Sequence, residues 1–98
     1  MNNRNKHSDP NCELYRALTT LETPEEFHKF FLDLCTQAEL SAIEQRYVVA
    51  RMLRSGMIYN EILAATSASS ATVSRVNRSL NSGEGAYEIV FSRLEARK

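Results

Sequence analysis

Apolar residues recur at helical spacing along most of the 98-residue chain. Leu14, Leu18 and Leu21 lie at i, i+4 and i+7, which predicts a first helix over about residues 11–22. The sequence TPEEF then predicts the start of a second helix, with Thr23 as N-cap, proline at the first helical position and a glutamate three residues after the cap.

The sequence TQAE at Thr36 repeats this capping pattern, and the third helix is expected to run to about Arg54, where Ser55 and Gly56 end it. Its apolar residues cover most of the circumference instead of one stripe. A helix of that kind needs cover on several sides. In so short a chain, the simplest source of that cover is a second copy. The apolar residues concerned are Leu40, Ile43, Tyr47, Val48, Val49, Met52 and Leu53.

The C-terminal half predicts three more helices. A short helix is expected at about residues 59–66, with Ile62 and Ala65 facing inward. After a three-residue turn come a helix at about residues 70–80 and a last one at about residues 86–96. No segment alternates apolar and polar residues as a β-strand does, so the predicted class is all-α, with about six helices.

The polar N-terminus, the lengths of the apolar runs and the two cysteines indicate the expected location and rule out some kinds of site. Residues 1–9 are polar and are predicted to be a disordered leader, and residues 10–98 to be a single helical domain. No apolar run reaches the roughly 18 residues of a membrane span, and the N-terminus lacks the apolar region of a signal peptide. We therefore expect a cytoplasmic protein that does not bind membranes. Cys12 and Cys35 have no neighbours at ligand spacing, so neither a metal site nor a disulfide framework is expected.

The helix at about residues 70–80 has two different faces. At about 100° per residue, Val73, Val76 and Leu80 form an inward stripe. The opposite side is small and hydroxylic near its start and carries arginine further along. Ser69 is a natural N-cap. The outward face consists of Ala71, Ser74, Arg75 and Arg78, with Ser70 on its flank.

This face suits the major groove of DNA. Short side chains allow close approach, hydroxyl groups can bond base edges or phosphates, and arginine can reach guanine or clamp a phosphate. Residues 46–80 hold five arginines and one glutamate within a neutral chain, which suggests an anionic partner, although a solvated face would look similar. Together with the preceding short helix, the pattern predicts a helix-turn-helix at about residues 58–80.

Two other classes of function compete with DNA binding. Catalysis has little support, because the serines have no base partner and no glycine-rich phosphate loop exists, so neither an enzyme nor a catalytic residue is expected. The stronger alternative is a helical protein-interaction adaptor of the transcription machinery that binds no operator itself. The ATVSR sequence is similar to the C-terminal helix-turn-helix of sigma factors, which keeps this alternative open.

A family resemblance rests on LCTQAELSAIEQRYVVARMLRSG, followed by YNEI, SSATVSRVNRSL and a closing Gly-aromatic helix. Across about residues 11–94 the chain resembles the YerC/YecD branch of the Trp-repressor-like family. The resemblance implies an intertwined homodimer with a helix-turn-helix in each subunit, binding double-stranded DNA to regulate transcription, by analogy as a repressor.

The resemblance and the helix geometry together give the candidate DNA contacts. By the resemblance, Ser70, Ala71, Ser74 and Arg75 lie where the family approaches DNA. Arg78 is added from its place on the outward face, and Asn60 from its place at the start of the preceding helix. Ser69 completes the set as the N-cap of the helix at about residues 70–80. The predicted DNA-binding residues are Asn60, Ser69, Ser70, Ala71, Ser74, Arg75 and Arg78.

Departures from the family pattern concern the effector and the turn. Tryptophan-responsive relatives carry an arginine where Gln45 stands and a glycine where Val76 stands, so we expect no tryptophan cofactor; any other effector is unknown.

Ser67 replaces a glycine that commonly adopts positive φ, at a cost of about 1 kcal/mol. Ile58 replaces a Ser or Thr cap worth about 1 kcal/mol. The departures at Ser67 and Ile58 both predict that the first helix of the helix-turn-helix, at about residues 59–66, is less firmly held.

Overall fold

Six α-helices and no strand make up the regular structure of residues 9–97, which are the residues that this computed structural model describes. The all-α class is therefore confirmed. The predicted leader falls almost wholly on residues 1–8, outside the described residues. The helices are α1 (Glu13–Leu18), α2 (Pro24–Leu34), α3 (Gln37–Arg54), α4 (Tyr59–Ala65), α5 (Ser70–Ser82) and α6 (Ala86–Ala96).

The chain divides into two compact units, Met1–Gln37 and Ala38–Lys98. The first contains α1 and α2, and neither helix has a buried residue. The second contains α4 to α6 and nearly all of α3. No helix formed within residues 9–97 has the length and hydropathy of a membrane span.

In the first unit, side-chain caps set the helix ends. The Thr23 hydroxyl accepts a hydrogen bond from the backbone N–H of Glu26 at 3.1 Å, as predicted, but the Glu26 carboxylate binds the N–H of Glu22 at 2.7 Å. The first helix ends at Leu18, before the predicted boundary near Glu22. The hydroxyls of Thr19 and Thr20 donate to the carbonyl oxygens one turn back, at 2.7 Å each, and such local bonds compete with a continued helix.

The core of the second unit joins α3, α4, α5 and α6. Ile62 is buried as predicted, but the prediction that Ala65 faces inward is wrong, since Ala65 is exposed. Ala68, in the turn before α5, is buried in its place, because the chain has already left the helix at Thr66 and folds back over the core. The fully or nearly buried residues are Val49, Ala50, Ile62, Ala68, Val73, Val76 and Phe91.

An aromatic cluster packs α6 against α3. The Phe91 ring lies 5.6 Å from that of Tyr47 and 6.0 Å from that of Tyr87, measured between centroids. The guanidinium of Arg54 lies over Phe91 at 5.1 Å, within the range of a cation–π contact. These contacts hold α6 on the side of α3 that also forms the core behind α5.

Candidate nucleic-acid interface

The start of α5 is fixed by Ser69. Its hydroxyl oxygen accepts a hydrogen bond from the backbone N–H of Thr72 at 3.1 Å, and the hydroxyl also contacts the Thr72 hydroxyl oxygen at 3.1 Å. This is the N-cap geometry that the sequence predicts. Within the protein, the Ser69 hydroxyl begins α5 and orients the residues that follow.

Three inward residues set the rotation of α5. Val73 is fully buried, Val76 is 2% exposed and Leu80 is half-buried against the same core, as predicted. Ile62 of α4 belongs to this core, and α4 and α5 pack against each other. Because the inward stripe is held on several sides, the opposite side of α5 has to face outward.

The predicted outward residues occupy that side. Ser70, Ala71, Arg75 and Arg78 are exposed, whereas Ser74 is half-buried on the flank. The sequence of α5 contains no acidic residue, and neither arginine forms an ion pair with any other residue in the range 9–97. The face therefore offers two guanidinium groups beside short side chains, with no carboxylate on the same helix to neutralise them.

Arg54 differs from these arginines. Its guanidinium binds both carboxylate oxygens of Glu88, at 3.1 and 2.7 Å, and contacts Glu95 at 3.4 Å. The hydrogen bonds with Glu88 are the main cause that raises the pKa of Arg54 and lowers the pKa of Glu88. The count of five arginines in residues 46–80 therefore overestimates the unpaired positive charge, because Arg54 is paired with carboxylates on α6.

The turn between α4 and α5 forms without the expected strain. No residue other than glycine has positive φ within residues 9–97, so the predicted cost of a left-handed Ser67 is wrong. The Thr66 hydroxyl holds this turn instead, since it donates to the Ile62 carbonyl oxygen at 2.9 Å and accepts from the Ala68 N–H at 3.2 Å. These side-chain hydrogen bonds hold the turn in a conformation that does not require glycine.

The start of α4 carries half of a capping pair. Ile58 has no side-chain acceptor, as predicted, but the Glu61 carboxylate accepts a hydrogen bond from the Ile58 N–H at 3.1 Å. Asn60 is exposed and precedes the buried Ile62 by two positions, which places it about 160° away around α4. Of the predicted contacts, Asn60 alone lies on α4.

Sequence reasoning missed one polar pair on α5. The Asn81 side-chain N–H donates to the Asn77 side-chain oxygen at 3.1 Å. The spacing of two asparagines at i and i+4 could have signalled it. Residues 9–97 contain no group of three His, Cys, Asp or Glu side chains placed to hold a metal ion.

Comparisons with known proteins agree with this architecture. Residues 12–95 match the family model described as Trp repressor protein. The uncharacterised protein YerC of Bacillus subtilis is 46% identical over 83 residues, which cover 85% of this chain and 80% of YerC.

Two solved structures also resemble the chain. The first, from Staphylococcus aureus and described as a candidate Trp repressor, has a TM-score of 0.81 and 44% identity over 85% of this chain and 83% of its own. The second, a TrpR-like protein from Eubacterium eligens, has a TM-score of 0.81 and 46% identity over 85% of this chain and 86% of its own. At these identities the likeness extends to sequence as well as fold.

Proposed function

The chain belongs to the Trp repressor family, and we propose that it is a sequence-specific regulator of transcription that binds double-stranded DNA through α4 and α5. The observation that carries this proposal is the outward face of α5. That face begins with small side chains and continues with Arg75 and Arg78, two exposed guanidinium groups without ion pairs among residues 9–97. The proposed role is regulatory, with repression as the proposed direction, and no catalytic step is assigned to the chain.

The chemistry of this face fits a major groove about 12 Å wide. Ser70 and Ala71 are short enough to let the start of α5 approach the base edges, and the methyl group of Ala71 can contact that of thymine. Arg75 and Arg78 follow one and two turns later and can reach guanine or a phosphate. Asn60 at the start of α4 would contact the backbone, since the first helix of a helix-turn-helix crosses it.

We further propose that the regulator is a homodimer. The single chain leaves large apolar side chains exposed in both units, which is costly in water and is relieved by a second copy. In the first unit, Leu32 is 53% exposed and Leu34 is 50% exposed; in the second, Ile89 is 50% exposed and Leu94 is 47% exposed. Two copies of α5 about 34 Å apart would meet successive major grooves of a pseudo-palindrome.

The oligomeric state can be measured directly. Light scattering on the purified chain at micromolar concentration should give twice the chain mass of 11.1 kDa. A mass equal to one chain would contradict the dimer and leave the exposed apolar faces without an explanation.

Tryptophan is not the proposed effector. Val76 is 2% exposed and fills core space at the position where the family resemblance places a glycine in tryptophan-responsive relatives. Gln45, at the position aligned with their carboxylate-binding arginine, carries no charge. We expect that added tryptophan leaves the DNA affinity of the protein unchanged.

The test of DNA binding is the salt dependence of arginine variants. Arg75→Ala and Arg78→Ala should each weaken binding to a selected duplex. Each should also reduce the slope of log K against log salt by about 0.9 for every phosphate that is no longer neutralised, because fewer counterions are released. Arg93→Ala is a matched control, since Arg93 is an exposed arginine on α6 that forms no ion pair within residues 9–97.

The outcomes separate the two functional classes. If the double variant of Arg75 and Arg78 binds DNA as the unchanged protein does, the assignment of α5 as recognition helix is wrong. If the unchanged protein is folded and dimeric but binds no duplex at any salt concentration, the adaptor function becomes the better explanation.

A further inference from the structure

The side-chain hydrogen bond between Asn81 and Asn77 gives α5 a feature that the proposed DNA contacts do not use. The Asn81 amide N–H donates to the Asn77 side-chain oxygen at 3.1 Å, across one helical turn. Asn77 is half-buried and Asn81 is exposed. The bond therefore ties an exposed amide to one that lies at the border between core and surface.

This bond engages the oxygen of the Asn77 amide and leaves its NH₂ group available to a ligand. Recognition of adenine by asparagine needs the oxygen and the NH₂ group to face the base together. Here Asn81 occupies the oxygen side of Asn77, while the Asn77 NH₂ group has no hydrogen-bond acceptor among residues 9–97. The NH₂ group therefore has unused donor hydrogens, which suit a ligand that only accepts hydrogen bonds, such as a phosphate oxygen.

The position of Asn77 on α5 agrees with that ligand. The centre of the outward face lies between Ala71 and Arg78, and Asn77 and Asn81 lie about 110° and 70° from that centre. A helix with side chains is about 10–12 Å across and fills a groove about 12 Å wide. Residues near 90° from the centre therefore face a wall of the groove, which is sugar and phosphate, and not the base edges.

The same flank is uncharged along its length. Ser70 lies on it at the start of α5, about 90° from the centre, and Asn77 and Asn81 follow in the second half. The arginines lie elsewhere, with Arg78 near the centre and Arg75 on the other flank. Among the residues of α5, a phosphate on this wall would meet neutral donors only.

We propose that Asn77, oriented by Asn81, donates a hydrogen bond to a backbone phosphate of the bound DNA. This inference rests on the proposed function and extends it by a binding residue and a positioning residue. The contact adds affinity without base preference, because a phosphate carries no sequence information. It also adds affinity without salt dependence, because a neutral amide replaces no counterion.

The test uses the full chain, a duplex selected for tight binding, and affinity measured over a series of salt concentrations. Asn77→Ala should weaken binding roughly ten-fold, as expected for loss of a hydrogen bond to a charged group. The slope of log K against log salt and the preference at every base position should stay as in the unchanged protein. Asn11→Ala is a matched asparagine control outside the helix-turn-helix and should leave affinity unchanged.

Two further variants distinguish the contact from a role in helix stability. Asn77→Asp keeps the shape and keeps an acceptor for Asn81, so thermal unfolding should be unchanged, yet DNA binding should fall more than in Asn77→Ala because a carboxylate faces a phosphate. Asn81→Ala should weaken binding less than Asn77→Ala, since the donor remains and only its orientation is no longer fixed.

Each contrary result has a separate meaning. Unchanged affinity of Asn77→Ala and Asn77→Asp would overturn the phosphate contact while leaving DNA binding intact. A preference altered at one base position would also overturn it, because Asn77 would then read a base. Failure of the unchanged protein to bind any duplex would instead overturn the proposed function on which the contact rests.

Discussion

Replacing Val73 by alanine should lower the free energy of unfolding by about 1–3 kcal/mol while leaving every outward group of α5 in place. Val73 is fully buried, so the whole side chain is removed from contact with water on folding. The substitution deletes the equivalent of two methylene groups, worth about 0.8 kcal/mol each, or about 1.6 kcal/mol in transfer free energy. The cavity left among Ile62, Val76 and their neighbours adds to that loss.

Urea unfolding followed by circular dichroism measures the change. All variants should be compared at one protein concentration, because the stability of a dimer depends on concentration. Ser79→Ala is the matched control: Ser79 is an exposed residue of the same helix, and a surface change of that kind should stay within about 0.5 kcal/mol. DNA affinity measured well below the unfolding midpoint should be almost unaffected by Val73→Ala.

A loss below about 0.5 kcal/mol for Val73→Ala would refute the reasoning. Val73 would then not be packed as the structure has it, and the rotation of α5 that presents Arg75 and Arg78 would be in doubt. A large loss of DNA affinity with unchanged stability would also contradict the assignment of Val73 to the core, because Val73 would then contact the DNA.

Two further predictions concern the end of α5 and the pairing of α6. Gly83→Ala should destabilise the protein by about 1–3 kcal/mol, because the added Cβ would lie 2.5 Å from the backbone carbonyl oxygen of Ser79; an unchanged urea midpoint would contradict this. Glu88→Gln should weaken the pairing with Arg54, and its effect should depend on pH because this pairing holds the pKa of Glu88 below the ordinary 4.5. The pairing stabilises the fold above that value and is lost as pH falls through the lowered pKa, so the unfolding curves of the two proteins should differ at neutral pH and converge in acid. Curves that differ equally at every pH would show that the ion pair is not the cause.

The sequence predicts most of the interface because its signals are local. The cap at Ser69 and the spacing of Val73 and Val76 concern residues within one or two turns of each other. Such short-range patterns determine where a helix begins and which side faces the core. The structure accordingly agrees with the predicted start and inward stripe of α5, and with the span of α6.

The remaining features depend on neighbours that a local pattern does not reveal. Arg54 is paired with Glu88 and Glu95, which lie 34 and 41 positions further along the chain, so its charge cannot be assigned from the segment around it. The backbone at Ser67 does not adopt positive φ, and the Thr66 hydroxyl holds the turn. The residue types in this turn do not by themselves predict that hydrogen bond. The roles of the predicted DNA-binding residues stay predictions until a complex with DNA is measured.

The most direct measurement is a selection of random duplex DNA on the purified chain, without added ligand, at two salt concentrations. We expect an enriched motif with two half-sites about one helical turn apart, and weaker retention at the higher salt concentration. A folded, dimeric protein that enriches no sequence would contradict the proposed operator binding. Repeating the selection with cell extract would then distinguish a missing effector, which restores enrichment, from an adaptor, which does not.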